Sequence, residues 1–116
     1  MNIIECTDKD GIKVVCDDGT WYNHIEAEHP EMKECAAIVK ETIQDPYEIY
    51  QDRFNLNKKV IYKPFVLPRP FHTYYLRIVI EYKTRKLRGG LIGYVRTAFA
   101  CSNKKKGDVL LWVKPS

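Results

Sequence analysis

His24 and His29 are the side chains best suited to moving protons at neutral pH. An imidazole titrates near about 6.5, so it can take or give a proton where few other groups can. Both lie in Trp21-Tyr22-Asn23-His24-Ile25-Glu26-Ala27-Glu28-His29-Pro30. A zinc-protease helix needs His-Glu-x-x-His, which sets both rings on one face. Here the histidines are five apart, roughly 140° around a helix, and the inverse motif also fails by one residue. The competing use of each ring is a local backbone hydrogen bond. Acid–base chemistry is therefore favoured over metal ligation.

The second candidate is Arg96-Thr97, inside the apolar run Leu91-Ile92-Gly93-Tyr94-Val95-Arg96-Thr97-Ala98-Phe99. An arginine there is costly unless it leaves the core or finds an anion. Strict strand alternation groups Arg96 with Tyr94 and Ala98, opposite Val95, Thr97 and Phe99. A strand-borne guanidinium is rigidly held and its donor fork matches phosphate oxygens, or else it pairs with a carboxylate of the acidic half. Arg53, Lys59, Lys63, Arg69 and Arg77 extend the positive set, with Tyr62, Phe65, Tyr74 and Tyr75 interleaved. Aromatics among bases suit stacking on unpaired nucleobases, although strand tyrosines also serve as plain packing.

Charge is split along the chain. Residues 1–57 hold 13 acids and five bases, and residues 58–116 hold 14 bases and two acids, for a net of +4 over 116 residues. The one-sided second half points to a polyanion. Lys104-Lys105-Lys106 is a solvated turn, useful for steering. Cys6, Cys16, Cys35 and Cys101 form no closely spaced pair, which argues against zinc and for reduced, buried small hydrophobes. No cofactor is expected: there is no phosphate-binding glycine loop, no acidic cluster in the basic half for magnesium, and no Gly-x-Ser-x-Gly elbow. No apolar run is long enough to span a membrane, and the first residues do not read as a secretory signal, so a cytoplasmic protein is expected.

The elements that must position these groups follow from pattern. Ile3 to Cys6 and Ile12 to Cys16 flank the turn Thr7–Gly11 and predict a hairpin. Thr20 is placed to cap a short helical turn. A main helix is predicted from about Pro30 to Gln44, burying Met32, Cys35, Ala36, Val39 and Ile43 and stopped by Asp45-Pro46. Strands are predicted at Glu48–Asp52, Lys58–Lys63, Thr73–Tyr82, Leu91–Ala100 and Val109–Val113, with a basic loop from Lys83 to Gly90. Lys63 to Phe71, with three prolines, reads as a long loop. The expectation is one α+β domain over 1–116, with an N-terminal hairpin and helices packed on an antiparallel sheet of four to five strands.

The ordered set of features then becomes recognisable. It comprises His24-Ile25, His29-Pro30-Glu31-Met32 and Thr42-Ile43-Gln44-Asp45-Pro46, followed by Glu48-Ile49-Tyr50-Gln51-Asp52. A lysine-tyrosine strand, Leu76-Arg77-Ile78-Val79-Ile80, Val95-Arg96-Thr97-Ala98-Phe99 and Gly107…Leu111-Trp112 complete it. From about Trp21 to Trp112 this resembles the phage-encoded branch of the barnase, EndoU, colicin and RelE-like nucleases. That resemblance implies helices on a curved antiparallel sheet and a metal-independent ribonuclease associated with a toxin system or a phage. It implies a site lined by the histidine segment, Arg96, Thr97 and Trp112. One histidine would activate a ribose 2′-hydroxyl, Arg96 helped by Arg53 or a lysine would stabilise the phosphorane, and the second histidine would protonate the leaving oxygen. Arg53, Lys59, Tyr62, Lys63, Arg77 and Trp112 would contact RNA, and a cognate inhibitor protein is a further expected partner. Two other readings stand beside it: an RNA-binding module without catalysis, and a partner-binding protein on a toxin-like fold.

Overall fold

The structure, a computed structural model, describes residues 1–87 and 89–116. Two short strands, β1 (Asn2–Thr7) and β2 (Lys13–Asp17), form the expected hairpin. Its turn is closed by Asp8, whose Oδ1 accepts the N–H groups of Asp10 and Ile12, both at 2.9 Å. A helical segment over 18–28, α1, follows; its middle, Trp21–Ile25, is wound as a π-turn. The cap is Asp17, which accepts the Thr20 N–H at 2.6 Å, so Thr20 lies within the helix rather than before it.

The long helix expected from Pro30 is broken in two. Pro30–Met32 is a single 3-10 turn, and α2 spans Ala36–Gln44. The break falls at Glu34, whose φ of 64° is left-handed and cannot continue a helix. The apolar stripe survives it: Met32, Cys35, Val39 and Ile43 are all buried.

The remaining strands are β3 (Glu48–Gln51), β4 (Lys58–Pro64), β5 (Tyr75–Thr84), β6 (Leu91–Cys101) and β7 (Val109–Val113). Arg88 of the expected basic loop lies outside the described residues. The fold is α+β, but the sheet has seven strands in the order β1-β2-β6-β5-β4-β3-β7. The hairpin does not sit on a smaller sheet; it joins the sheet, because β2 pairs in parallel with β6 through Lys13–Ile92, Val14–Gly93 and Val15–Tyr94. Gly93 makes this seam close, since a Cβ there would lie 2.9 Å from Ile80 Cγ2 and 3.1 Å from Val14 Cγ2. Among the described residues no helix is long and apolar enough to cross a membrane.

The helices cover one face of the sheet. Trp21, Ile25, Met32, Val39 and Ile43 bury against Ile4, Val14, Ile61, Leu76, Ile78, Ile80, Val95 and Ala98. The opposite face is uncovered by helix and holds a smaller cluster of Val60, Tyr62 and Val79, flanked by Tyr50, Tyr75 and Cys101. All four cysteines are free thiols. Burial pushes the Cys16 thiol up to about 12, as suits a packing residue.

Candidate functional site on the open face of the sheet

The open face is assembled by strand parity. Leu76, Ile78 and Ile80 of β5 point to the helices, so Tyr75, Arg77, Val79 and Glu81 point away. Register extends this row to Tyr62 and Val60 of β4, opposite Arg77 and Val79, and to Phe99 and Thr97 of β6, opposite the same two residues.

His29 reaches this face over the edge of β6. The 3-10 turn that follows it is fastened there by Glu31, whose Oε2 accepts the Ala100 N–H at 3.0 Å. The imidazole stacks on the Phe99 ring, with centroids 4.7 Å apart and planes inclined by 22°. The Arg77 guanidinium carbon lies 5.3 Å from the same ring centroid. Its Nε donates to Tyr62 Oη at 3.2 Å, and Tyr62 Oη also accepts the Lys105 N–H at 3.1 Å. A base, a cation and an aromatic platform thus meet at Phe99. Tyr62 is only 1% exposed, so it orients Arg77 and does not offer a stacking surface of its own.

Arg96 departs from the expected alternation. Thr97 pairs with Val79 but Val95 pairs with Ile80, so Arg96 is the extra residue of a β-bulge. The bulge leaves Val95 and Ala98 both in the core and turns Arg96 to the open face, away from Ala98. There its Nε donates to Glu81 Oε1 at 2.8 Å and its guanidinium carbon lies 5.2 Å from the Tyr94 ring. That hydrogen bond holds the Glu81 carboxyl below its ordinary value. A second ion pair on this face joins Lys104 to the buried Glu48. Burial disfavours the charged ammonium, yet its hydrogen bond to Glu48 raises the Lys104 pKa. Lys104 also lies 5.2 Å from the Tyr75 ring.

Of the residues singled out from sequence, His29, Arg77, Tyr62, Thr97 and Arg96 share the open face. His24 does not join them: it is exposed on α1, with Nδ1 3.1 Å from Glu28 Oε2. Lys59, Lys63 and Trp112 lie on the helix side. Lys59 and Trp112 line a pocket of about 220 Å³ with Asp8, Lys9 and Tyr82, and Lys9 Nζ sits 4.8 Å from the Trp112 ring. Lys63 Nζ donates to the Asp45 carbonyl at 2.6 Å. Their parity with buried Ile61 in β4, and the pairing of Trp112 with Ile49, carries this placement. Arg53 follows β3, with its guanidinium carbon 4.4 Å from the Phe54 ring and its N–H donated to Asp108.

Sequence reasoning missed Phe99 as platform, Glu31 as the edge clamp and Glu48 as an ion-pair partner, and it placed Lys104 in a solvated turn, whereas Lys104 is held against the buried Glu48. His72, in the loop before β5, has a buried Nδ1 without a protein partner. Among the described residues no group of three His, Cys, Asp or Glu side chains could hold a metal ion. Comparison of the chain with protein-family models, with curated proteins and with solved structures finds no match.

Proposed function

We propose that the open face is the cleavage surface of a metal-independent endoribonuclease. The observation that carries this reading is the convergence of His29 and Arg77 on the Phe99 ring. His29 takes the proton of a ribose 2′-hydroxyl, whose oxygen then attacks the adjacent phosphorus. Negative charge gathering on the non-bridging oxygens is met by the terminal nitrogens of Arg77, whose Nε is already committed to Tyr62. The bond to the 5′-oxygen breaks, and that oxygen takes its proton from solvent, since His24 lies apart. The products are a 2′,3′-cyclic phosphate and a 5′-hydroxyl.

This reading keeps the reaction suggested by the resemblance to the barnase, EndoU, colicin and RelE-like nucleases but reassigns two roles. Arg77 replaces Arg96 as the charge stabiliser, because Arg96 is already neutralised by Glu81. Solvent replaces the second histidine as the acid. The test is cleavage of a mixed RNA substrate in excess chelator, with analysis of the product ends. Cleavage that leaves a cyclic phosphate and disappears in folded His29→Ala supports it. Cutting of DNA, or a requirement for added metal, refutes it.

The solitary histidine at the cluster also favours a second reading, an RNA-binding module without turnover. In that case His29→Ala leaves RNA affinity within about twofold, and no product forms with any variant.

A further inference from the structure

The pocket of about 220 Å³ on the helix side lies where the β1–β2 turn, α2 and strands β3, β4, β5 and β7 converge. Its floor is apolar, for Ile43, Ile49 and Ile61 are all buried. Tyr82 and Trp112 supply aromatic walls. A dry apolar cavity of about 150 Å³ already accepts benzene, so this larger one admits a single aromatic ring with a small polar substituent. A flat ring packs well on phenol and indole walls, through offset or edge-on contacts.

The charged groups around the pocket decide what that substituent is. Asp8 is fully engaged: its Oδ1 accepts the N–H groups of Asp10 and Ile12, and its Oδ2 accepts the Tyr82 hydroxyl at 2.8 Å. The last of these bonds also fixes the Tyr82 ring as a wall. Asp10 is met by Lys9, whose Nζ lies 3.0 Å from its Oδ1 and 4.8 Å from the Trp112 ring. Lys59 Nζ lies 5.2 Å from the Tyr82 ring. Of the four charged groups lining the pocket, only the Lys59 ammonium has no hydrogen-bonded partner among the described residues. Its donors are the ones left for a guest, and they call for an anionic oxygen.

We infer that this pocket binds a small aromatic carboxylate, its ring on the isoleucine floor against Tyr82 and Trp112 and its carboxylate bonded by Lys59 Nζ. A neutral ring would leave the ammonium unanswered, and an aliphatic acid would forgo the aromatic walls. The walls and the cation stand on strands β4, β5 and β7, so folding builds the site before a guest arrives and little ordering is left to oppose binding. The site is separate from the proposed cleavage surface, because Arg77 and Phe99 lie on the other face of the sheet.

The test is a set of amide spectra of the isotope-labelled intact chain, titrated with benzoate, phenylacetate and naphthoate. Acids of this size should bind at about 0.1–1 mM, so titration to about 10 mM reaches saturation. At least one acid should saturably move the Trp112 indole N–H signal and the amides of Asp8, Lys59 and Tyr82. The indole N–H of buried Trp21, donated to Glu26, should stay still. The primary amide of the same acid should bind about tenfold more weakly, and Lys59→Gln should bring the acid down to the amide's level. Lys59→Arg, which keeps the charge, should retain the preference for the acid. No saturable shift with any of the three acids overturns the inference. So do shifts confined to residues 75–79 and 97–99 on the open face, equal affinity for acid and amide, or an acid affinity unmoved by Lys59→Gln. Should the Lys59 variants fail to fold, the acid–amide comparison on the wild-type chain decides.

Discussion

Arg77 and Arg96 lie on the same face, on the adjacent strands β5 and β6, and the proposed mechanism separates their roles sharply. Each donates its Nε to a neighbour. For Arg77 that neighbour is the neutral Tyr62 hydroxyl, so the full positive charge remains for a phosphate. For Arg96 it is the Glu81 carboxylate at 2.8 Å, so most of the charge is already met. Replacing Arg77 by Gln removes a preorganised donor aimed at developing charge, which costs about 10²–10³ in kcat. Replacing Arg96 by Gln removes a charge that Glu81 already meets, so kcat/KM should stay within about fivefold, and the about 0.2–1 kcal/mol of the partly exposed ion pair is lost from folding stability instead. The assay is cleavage of a fluorogenic single-stranded RNA in chelator, with urea unfolding to establish that both variants are folded. Arg77→Gln also loses one hydrogen bond, about 1 kcal/mol, which should not unfold the domain. A larger loss of activity in Arg96→Gln than in Arg77→Gln would show that the charge balance has been misjudged and would restore Arg96 as the stabiliser.

Three further outcomes follow from the same geometry. His29→Ala should lower kcat by about 10²–10⁴, whereas His24→Ala should leave it within about twofold, since His24 pairs only with Glu28; equal losses in initial-rate assays would contradict the single-base mechanism. Gly93→Ala places a methyl 2.9 Å from Ile80 Cγ2 and 3.1 Å from Tyr82 Cε1 and Val14 Cγ2. Overpacking of about 1–3 kcal/mol exceeds the backbone gain of about 0.4–1 kcal/mol, so calorimetry should find Tm lowered by about 4–8 °C, and an unchanged Tm would mean the seam is slack. Because the Arg96 hydrogen bond depresses the Glu81 carboxyl in the folded chain, that pair's stability is present above the ordinary glutamate value of 4.5 and is lost as pH falls through the lowered one. Denaturant midpoints below pH 4.5 should therefore fall less steeply in Glu81→Gln than in wild type, and parallel slopes would dismiss the linkage.

What could be read from the sequence was whatever depends on neighbours along the chain. The β1–β2 turn follows from Asp8 accepting two nearby N–H groups, and the inward row Leu76, Ile78 and Ile80 follows from strict alternation in β5. The buried stripe Met32, Cys35, Val39 and Ile43 is likewise local. Alternation failed at Arg96 because a bulge adds a residue without any local composition signal, and the expected face of every residue before it inverted. The helix break at Glu34 was equally silent, since a non-glycine residue holds the left-handed conformation there. The parallel β2–β6 pairing and the approach of His29 to Phe99 join residues about 70 or more positions apart, which no pattern within one segment encodes. Lys59 and Lys63 could have been placed correctly, for both share parity with apolar Ile61. Their charge drew attention, and their position in the strand argued the other way.

Position also decides how far the basic half of the chain acts as one surface. Much of its charge is met by the acidic half: Lys63 and Lys114 both bind Asp45, and Lys104 binds Glu48. Arg96 is met within its own half by Glu81, and Lys59 lies on the helix side. On the open face this leaves Arg77 without an acidic partner among the described residues, joined by Lys83 at 6.0 Å from the Tyr94 ring, with Lys58 opposite Glu81 and the two paired cations as partial contributors. Single-stranded RNA bound there should release counterions for about two to four phosphate contacts, giving a slope of log K against log salt near −1.5 to −3 at about −0.7 per contact. Had all 14 bases of the second half formed the footprint, the slope would approach about −10. Fluorescence anisotropy of a short labelled RNA, measured with His29→Ala to prevent cleavage and with salt varied from about 50 to about 300 mM, separates the two. A steep slope would mean that RNA spans both faces or the hairpin loops, and the narrow open-face site would have to be abandoned. A shallow slope lost further in Arg77→Gln would tie the binding to the guanidinium that the open face holds beside Phe99.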